Sequence, residues 1–106
     1  MGFTDGTITT TASEANLFDI TGDNHFATWL FLNAMTSTET FVIKVYVKDQ
    51  NGATMRLAEN ETLTGAQDPP SLFIPFLPTK QYKVSIQRTA GTDRAIAWQR
   101  VEIPLA

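Results

Sequence analysis

The side chains best suited to nucleophilic or acid–base chemistry are few in this chain. His25 is the single histidine, and it follows Asp23 by two residues. A Ser-His-Asp arrangement would combine them with one of four serines, yet none of these serines lies in the Gly-x-Ser-x-Gly setting of a nucleophile elbow. The pattern therefore favours a structural histidine, and we predict that the protein is not an enzyme.

An oxygen-rich segment is the nearest match to a metal site. Asp19, Asp23 and Asn24 carry the oxygen ligands that calcium prefers. Their spacing does not match the D-x-[DN]-x-[DN]-G loop of an EF-hand, and Gly22, Asp23 and Asn24 are residue types typical of a turn. A turn stabilised by local backbone hydrogen bonds is the favoured alternative, so we predict no metal and no cofactor.

The remaining acidic residues are scattered along the chain. Glu59 and Glu61 are separated by one residue, so both lie on one face if this segment is a strand. Glycoside hydrolysis requires two carboxylates that converge on one bond, whereas a pair on one strand face is normally a solvated stripe. We therefore predict no glycosidase site.

Composition excludes several functional classes. The 106 residues include no cysteine, which excludes disulfide scaffolds, thiol nucleophiles and thiolate metal sites. With 8 Lys and Arg against 11 Asp and Glu the net charge is -3, and no basic run occurs. Nucleic-acid and anionic-membrane surfaces depend on clustered Lys and Arg, so we predict neither partner. The first residues also lack the basic and apolar regions of a secretory signal, so we expect no export by that route.

Hydrophobic periodicity predicts how these side chains are positioned, and its period is two residues nearly everywhere. Residues 41–48 alternate as a half-buried strand, and Asn51-Gly52 predicts a hairpin to a strand at 53–63. Residues 55–64 would also suit a helix, although their alternation favours a strand. Residues 82–87 and 94–103 are predicted to form a second hairpin, because the Gly-containing segment between them is typical of a turn.

The other segments complete an all-β prediction. Residues 25–34 are apolar on both faces, which predicts a central strand covered on both sides or one whose outer face meets another subunit. Residues 6–12 and 16–20 suit edge strands, and 72–77, with Pro75, suits an edge strand or an extended connection. We therefore predict one domain, residues 1–106: an antiparallel β-sandwich of about eight short strands, Ig-like or jelly-roll, with short terminal arms.

Large side chains outside the expected core are candidates for contact with a partner. Edge strands and apolar patches promote aggregation unless another chain covers them, so we expect an oligomer. Aromatic residues and arginines are enriched at the centres of protein interfaces. The interaction candidates are Phe3, Phe73, Phe76, Arg94, Trp98 and Arg100.

Several segments, together with Trp98, resemble the small β-sandwich virion structural proteins of tailed phages, of the capsid decoration type. They are residues 6–14 (GTITTTASE), 40–48 (TFVIKVYVK), 65–69 (GAQDP), 75–78 (PFLP) and 83–94 (KVSIQRTAGTDR). The resemblance implies a non-enzymatic cement protein that binds the major capsid protein or another virion protein and reinforces the shell. It also implies a homo-oligomer, a trimer by analogy, on the capsid surface, after a soluble stage in the host cytoplasm.

Two alternatives to a decoration protein remain open. One is a tail or baseplate component of the same kind of particle. The other is a carbohydrate-binding module, for which Trp29 or Trp98 would have to form a solvent-facing platform.

Overall fold

The protein is built from antiparallel strands. The computed structural model describes residues 2–48 and 54–104, and the side chains of residues 2 and 75–77 lie outside this description. The strands are β1 (Gly2–Thr9), β2 (Ala15–Phe31), β3 (Thr40–Lys48), β4 (Met55–Thr64), β5 (Ser71–Ala90) and β6 (Ala95–Pro104). Within these ranges they form one sheet in the order β1-β6-β2-β5-β3-β4. The all-β prediction is confirmed, and residues 55–64 are a strand.

Two strands are long enough to account for four of the eight predicted segments. β2 contains both the predicted strand at 16–20 and most of that at 25–34, and β5 contains 72–77 and 82–87. The β2–β5 register shifts between Thr21 and Asn24, where Gly22 has a φ of 152°. Such an irregularity bends a strand without ending its ladder. The chain therefore forms six described strands rather than eight.

The bends place the two halves of β2 and of β5 in different layers. Residues 24–31 of β2 pair with β6 and with the first half of β5, whereas residues 15–21 pair with the second half of β5 alone. β3 pairs with residues 82–90 of β5. The first layer thus holds β1, β6, the second half of β2 and the first half of β5. The second layer holds β4, β3 and the remaining halves.

The core lies between these two layers, as expected for a β-sandwich. Phe26 of the first layer stacks on Tyr82 of the second, with ring centroids 4.8 Å apart and planes 2° from parallel. Phe18 of the second layer meets Trp98 of the first at 4.9 Å. β3 adds the fully buried side chains of Phe41, Ile43 and Val45. One sheet folded onto itself therefore provides both walls of the core.

One predicted hairpin is confirmed and the other is wrong. β3 and β4 pair as expected, although the turn predicted at 49–52 lies outside the described residues. β5 and β6 do not pair: β5 lies between β2 and β3, and β6 lies between β1 and β2. The segment after Ala90 leaves the second layer and enters the first, so β6 cannot lie beside the end of β5.

A buried carboxylate fixes this crossing segment. The Glu39 side chain is fully buried and accepts hydrogen bonds from the Thr36 amide (2.7 Å), the Thr38 hydroxyl and Arg94 Nε (3.1 Å). Gly91, at φ 82°, packs against the backbone of Thr38, where a Cβ atom would lie 2.5 Å from the carbonyl oxygen. The crossing segment is thereby held against the loop that precedes β3.

The Glu39 cluster predicts an acid-sensitive fold. Hydrogen bonds, that from Thr38 foremost, hold the pKa of Glu39 well below its usual range. The carboxylate therefore stabilises the protein above its unfolded pKa of about 4.3, and this contribution is lost as pH falls through the lower folded pKa. We expect Glu39→Gln to lower the melting temperature at pH 7 and to show a smaller further loss at acid pH than the wild type. Calorimetry at a series of pH values from 7 down to acid pH checks this prediction. A melting temperature that falls with pH as steeply in Glu39→Gln as in the exposed-site control Asp5→Asn would contradict it.

A buried hydroxyl pair links the two layers and gives a second prediction. Tyr82 and Thr28 are both fully buried, and their hydroxyl oxygens are 2.8 Å apart. Burial raises the pKa of Tyr82 to about 12. Tyr82→Phe leaves the Thr28 hydroxyl without this partner, so we expect a loss of about 1–3 kcal/mol in unfolding free energy by urea titration. The double variant with Thr28→Val should lose less than the sum of the single variants, and strict additivity would contradict the link.

Candidate interaction surfaces

The outer face of the first layer carries three exposed aromatic side chains, which we call the aromatic cluster: Trp29, Phe31 and Phe73. Trp29 and Phe31 alternate along β2 with the buried Thr28 and Leu30, so they point away from the core. Phe73 is the partner of Trp29 on β5, and their ring centroids are 4.6 Å apart. Trp29 and Phe31 lie 6.4 Å apart with planes 9° from parallel.

The aromatic cluster remains accessible to water in the isolated chain. Trp29, Phe31 and Phe73 are 36%, 37% and 39% exposed, respectively. Full transfer of a large apolar side chain from water contributes about 1.5–3 kcal/mol, and burial of the part still exposed contributes a fraction of that for each residue. β2 lies between β6 and β5, as predicted for a central strand. The described residues leave its outer face partly exposed, so the alternative, that this face meets another subunit, stays a prediction.

Polar residues flank the cluster on the same face. Gln99 of β6 pairs with Trp29, and Asp5 of β1 pairs with Gln99. Phe3 lies in the next row of this face, opposite Val101, and is 61% exposed. An apolar centre with polar neighbours is the usual arrangement of a protein interface.

The sheet also ends in two strands whose outer edges no described strand covers. Among the described strands, β1 pairs only with β6 and β4 pairs only with β3. Nearly all side chains of β4 are exposed, as expected for a terminal strand. A row of free N–H and C=O groups on such an edge is a template for pairing with another chain.

A cleft opens beside β4, between the two layers. Its floor includes Ile43, Val45 and Ile74, and Glu59 and Glu61 line it from β4. The cavity volume is about 110 Å³. We call this feature the Glu59–Glu61 cleft.

Trp98 and Arg100 close the opposite side of the sandwich. Trp98 is 9% exposed, and its ring lies over Gly6, where a Cβ atom would be 2.4 Å from the indole. Arg100 is buried, with its guanidinium 4.7 Å from the centre of the Phe18 ring, and it pairs with Glu102 at 2.6 Å. Both side chains therefore stabilise the fold itself.

The six predicted contact residues thus divide into groups. Phe73 belongs to the aromatic cluster and Phe3 is exposed on β1, whereas the Phe76 side chain lies outside the described part of the chain. Arg94, Trp98 and Arg100 are engaged within the molecule, and a partner contact for them stays a prediction. Sequence reasoning did not select Trp29 and Phe31 as contact residues. Their signal was the apolar character of both faces of residues 25–34.

A hydrogen-bonded polar group lies on the outer face of the second layer. Glu14 accepts hydrogen bonds from the hydroxyls of Ser85 and Tyr46, and Lys83 Nζ lies 4.2 Å above the Tyr46 ring. These hydrogen bonds, that from Ser85 foremost, lower the pKa of Glu14, while burial raises the pKa of Tyr46. These hydrogen bonds attach Glu14, in the β1–β2 connection, to β3 and β5.

The structure contains no metal-type cluster where it is described. No group of three or more His, Cys, Asp or Glu side chains is placed to hold an ion in residues 2–48 and 54–104. Asp19 accepts a hydrogen bond from Gln81 instead. Within the same ranges, no helix is long and apolar enough to cross a membrane.

Comparison with known proteins identifies the fold but no family. No family model and no curated protein matches the sequence. A chain of the disulfide-linked pili formed by Bacillus endospore appendages matches with a TM-score of 0.65 and 17% identity, over 99% of this chain and 87% of that chain. This likeness shows a shared fold.

Two viral chains match less well. They belong to the Gx and Gt strains of infectious bursal disease virus, both with a TM-score of 0.43, at 16% and 13% identity. They cover 95% and 96% of this chain but only 32% and 31% of their own length. Scores this low define no common fold.

The different environments of the two tryptophans give a third prediction. Trp29 is partly exposed and Trp98 is buried, so acrylamide should quench mainly the fluorescence of Trp29. We expect Trp29→Phe to leave a blue-shifted, weakly quenched emission from Trp98. Strong quenching in Trp29→Phe, with an unchanged circular dichroism spectrum, would contradict the placement of both rings.

Proposed function

We propose that the protein is a non-enzymatic structural subunit of a larger protein assembly. The carrying observation is the aromatic cluster, exposed on the outer face of the first layer and flanked by polar side chains. Buried aromatic anchors supply much of the binding energy of protein interfaces, and a polar rim excludes water around them. Burial of the aromatic cluster by another protein chain would therefore contribute to the free energy of assembly.

The backbone edges support the same proposal. β4 is ten residues long and largely exposed, and no described strand covers its outer edge. Such an edge is an aggregation hazard in a monomer but a binding element in an assembly. The likeness to a pilus chain, which spans nearly all of both chains, shows that this fold occurs in a structural protein.

Within this class we propose a capsid decoration protein, as the phage resemblance implies. A small subunit attached at repeated positions on a shell gains strength from many weak contacts. A trimer would present three aromatic clusters to one shell site, and the net charge of -3 gives no attraction to packaged nucleic acid. A tail or baseplate component would use the same contacts at a different place on the particle.

One observation favours carbohydrate binding as a second candidate. Trp29 faces solvent beside the nearly parallel ring of Phe31, and Gln99 and Asp5 would supply polar contacts to a sugar. Trp98, the other tryptophan considered for a platform, is buried. Carbohydrate binding therefore depends on the aromatic cluster alone.

The proposal is tested by light scattering of the purified protein, followed by co-sedimentation with purified particles and empty shells from its source. We expect a homo-oligomer that binds shells saturably at a fixed stoichiometry. Trp29→Ser/Phe73→Ser should weaken this binding strongly, because it removes the apolar centre of the contact. Leu57→Ser is the matched control, because it removes an apolar side chain that is 50% exposed and lies outside the aromatic cluster, while it leaves the backbone N–H and C=O groups of the β4 edge unchanged.

Different outcomes separate the candidates. Binding to tails but not heads would replace the decoration role with a tail role. A monomer that ignores particles yet binds glycans through Trp29 would contradict a structural role. Equal binding by the aromatic double variant and by Leu57→Ser would remove the aromatic cluster from the interface.

A further inference from the structure

The backbone of β1 directs alternate residues toward an edge that no described strand covers. The Thr10 amide donates to the Arg94 carbonyl at 2.9 Å, which continues the β1–β6 register as a hydrogen-bonded pair. Hydrogen-bonded and non-hydrogen-bonded pairs alternate along an antiparallel ladder. The groups that bond to β6 are therefore those of residues 4, 6 and 8. The N–H and C=O groups that point outward are those of residues 3, 5, 7 and 9.

The β1 edge lacks, over residues 2–9, the features that usually prevent strands from pairing. These residues pair with β6 without a register shift and contain no Pro, Lys or Arg. Prolines, lysines, bulges and inward-pointing charges are what protects an edge. The single charge is that of Asp5, which lies on the outer face opposite Gln99. The β4 edge, by contrast, contains a register shift opposite Val45 and Tyr46. β1 is thus the edge better suited to pair with a regular strand.

The outward-pointing groups of β1 match those of an identical strand that runs antiparallel to it. A two-fold axis at Gly6 places Phe3 opposite Thr9 of the second copy and Asp5 opposite Thr7 of the second copy. Each of these pairs would exchange two backbone hydrogen bonds, as the hydrogen-bonded pairs of an antiparallel ladder do. A shift of two residues in either direction leaves one of the four outward-pointing residues without a partner in β1. The register centred on Gly6 therefore satisfies the edge best.

The side chains select the same register. Asp5 lies opposite a threonine hydroxyl, which can donate to its carboxylate, whereas a register centred on Asp5 would place two like charges directly opposite each other. Phe3 is 61% exposed in the single chain, and Thr9 of the second copy would become its cross-strand neighbour. Pairs of an aromatic and a β-branched residue stabilise antiparallel strands. Charge and packing thus agree with the backbone.

Pairing of two β1 strands would join the first layers of two copies edge to edge. The two-fold axis is perpendicular to the sheet, so the outer faces of both copies stay on the same side of the joined layer. Both aromatic clusters would then face the same way, and β4 would remain free at each end. Two contact sites on one unit bind a repeating surface more strongly than a single site does.

We propose that the protein forms a two-fold symmetric dimer in which β1 pairs antiparallel with β1 of a second copy, in the register centred on Gly6. The inference deepens the proposed function and rests on it, because it names a second copy of this chain as the first partner of the structural subunit. The symmetry is then two-fold, in place of the three-fold symmetry that analogy with decoration proteins implies.

Sedimentation equilibrium of the purified full-length protein tests the dimer. We expect the mass to rise with concentration from that of one chain to that of two. Thr7→Pro removes an N–H group that points to the open edge and leaves the hydrogen bonds to β6 in place. Because both copies lose this donor, dimerisation should weaken by at least about tenfold.

Thr62→Pro is the matched control at the other edge. Gly65 N–H donates to the Glu39 carbonyl at the end of the β3–β4 ladder, so alternation directs the N–H group of Thr62 away from β3. Thr62 is exposed, as Thr7 is. This variant should leave dimerisation unchanged.

Engineered cysteines test the register without a proline in the strand. The chain contains no cysteine of its own. A mixture of the Asp5→Cys and Thr7→Cys variants should form disulfide-linked dimers on mild oxidation, because Cα atoms of a hydrogen-bonded pair are about 5.5 Å apart. Either variant alone should cross-link far less, since its cysteines are then diagonal neighbours at about 7–8 Å. Non-reducing electrophoresis measures the linked fraction.

Several outcomes would each overturn the proposal. They are a monomer at all concentrations, equal effects of the two proline variants, and equal cross-linking in the mixed and single samples. Filaments that lengthen with concentration would also overturn it, because they would indicate head-to-tail pairing of β1 with β4. A dimer that ignores all particles would retain the β1 pairing and refute the proposed function, whereas particle binding by a monomer would do the reverse.

Discussion

The rest of the structure depends on the continuous ladder between β2 and β5, which bends where its register shifts between Thr21 and Asn24. Because β2 and β5 bend together and stay paired, one sheet supplies both layers. The β2–β5 pairing therefore fixes how the two layers are placed against each other. Stacking of Phe26 on Tyr82 and the Tyr82–Thr28 hydroxyl contact then join the layers behind the bend. A core with no disulfide is stabilised by this packing and by backbone pairing.

The folded sheet also makes the two sides of the sandwich unequal. On one side Trp98 lies over Gly6, and Arg100 packs on Phe18, so the gap between the layers is filled. On the other side β4 brings Glu59 and Glu61 to the corresponding position, and the gap remains open. The outer face of the first layer adds the aromatic cluster. The aromatic cluster and the free strand edges are thus the surfaces through which we propose that one chain binds others.

Sequence patterning predicted the strands well because alternation directly reports one buried face. The β3–β4 pair and the central position of β2 followed from this signal. Patterning divides β2 and β5 into two segments each, because Gly22, Asp23 and Asn24 in β2 and Pro78 in β5 are residue types that also occur in turns and strand ends. The pairing of β6 was also wrong, because a short Gly-containing connection is compatible both with a hairpin and with a crossing between layers.

The candidate contact residues were harder to predict for a different reason. Trp29 and Trp98 both lie in segments predicted to be strands, and only the fold turns one indole inward over a glycine and the other outward beside Phe73. Arg94 and Arg100 resembled interface cations, but their partners Glu39 and Phe18 are distant in sequence. Strand alternation placed Glu59 and Glu61 on one face correctly, whereas the opening they line depends on the packing of two layers.

Hydrogen exchange of the protein, alone and bound to particles from its source, tests the central claim most directly. The account predicts slower exchange of the β4 edge amides and of residues 27–31 in the bound state, because a partner chain then covers them. Unchanged exchange in both regions, with the protein fully bound, would contradict it.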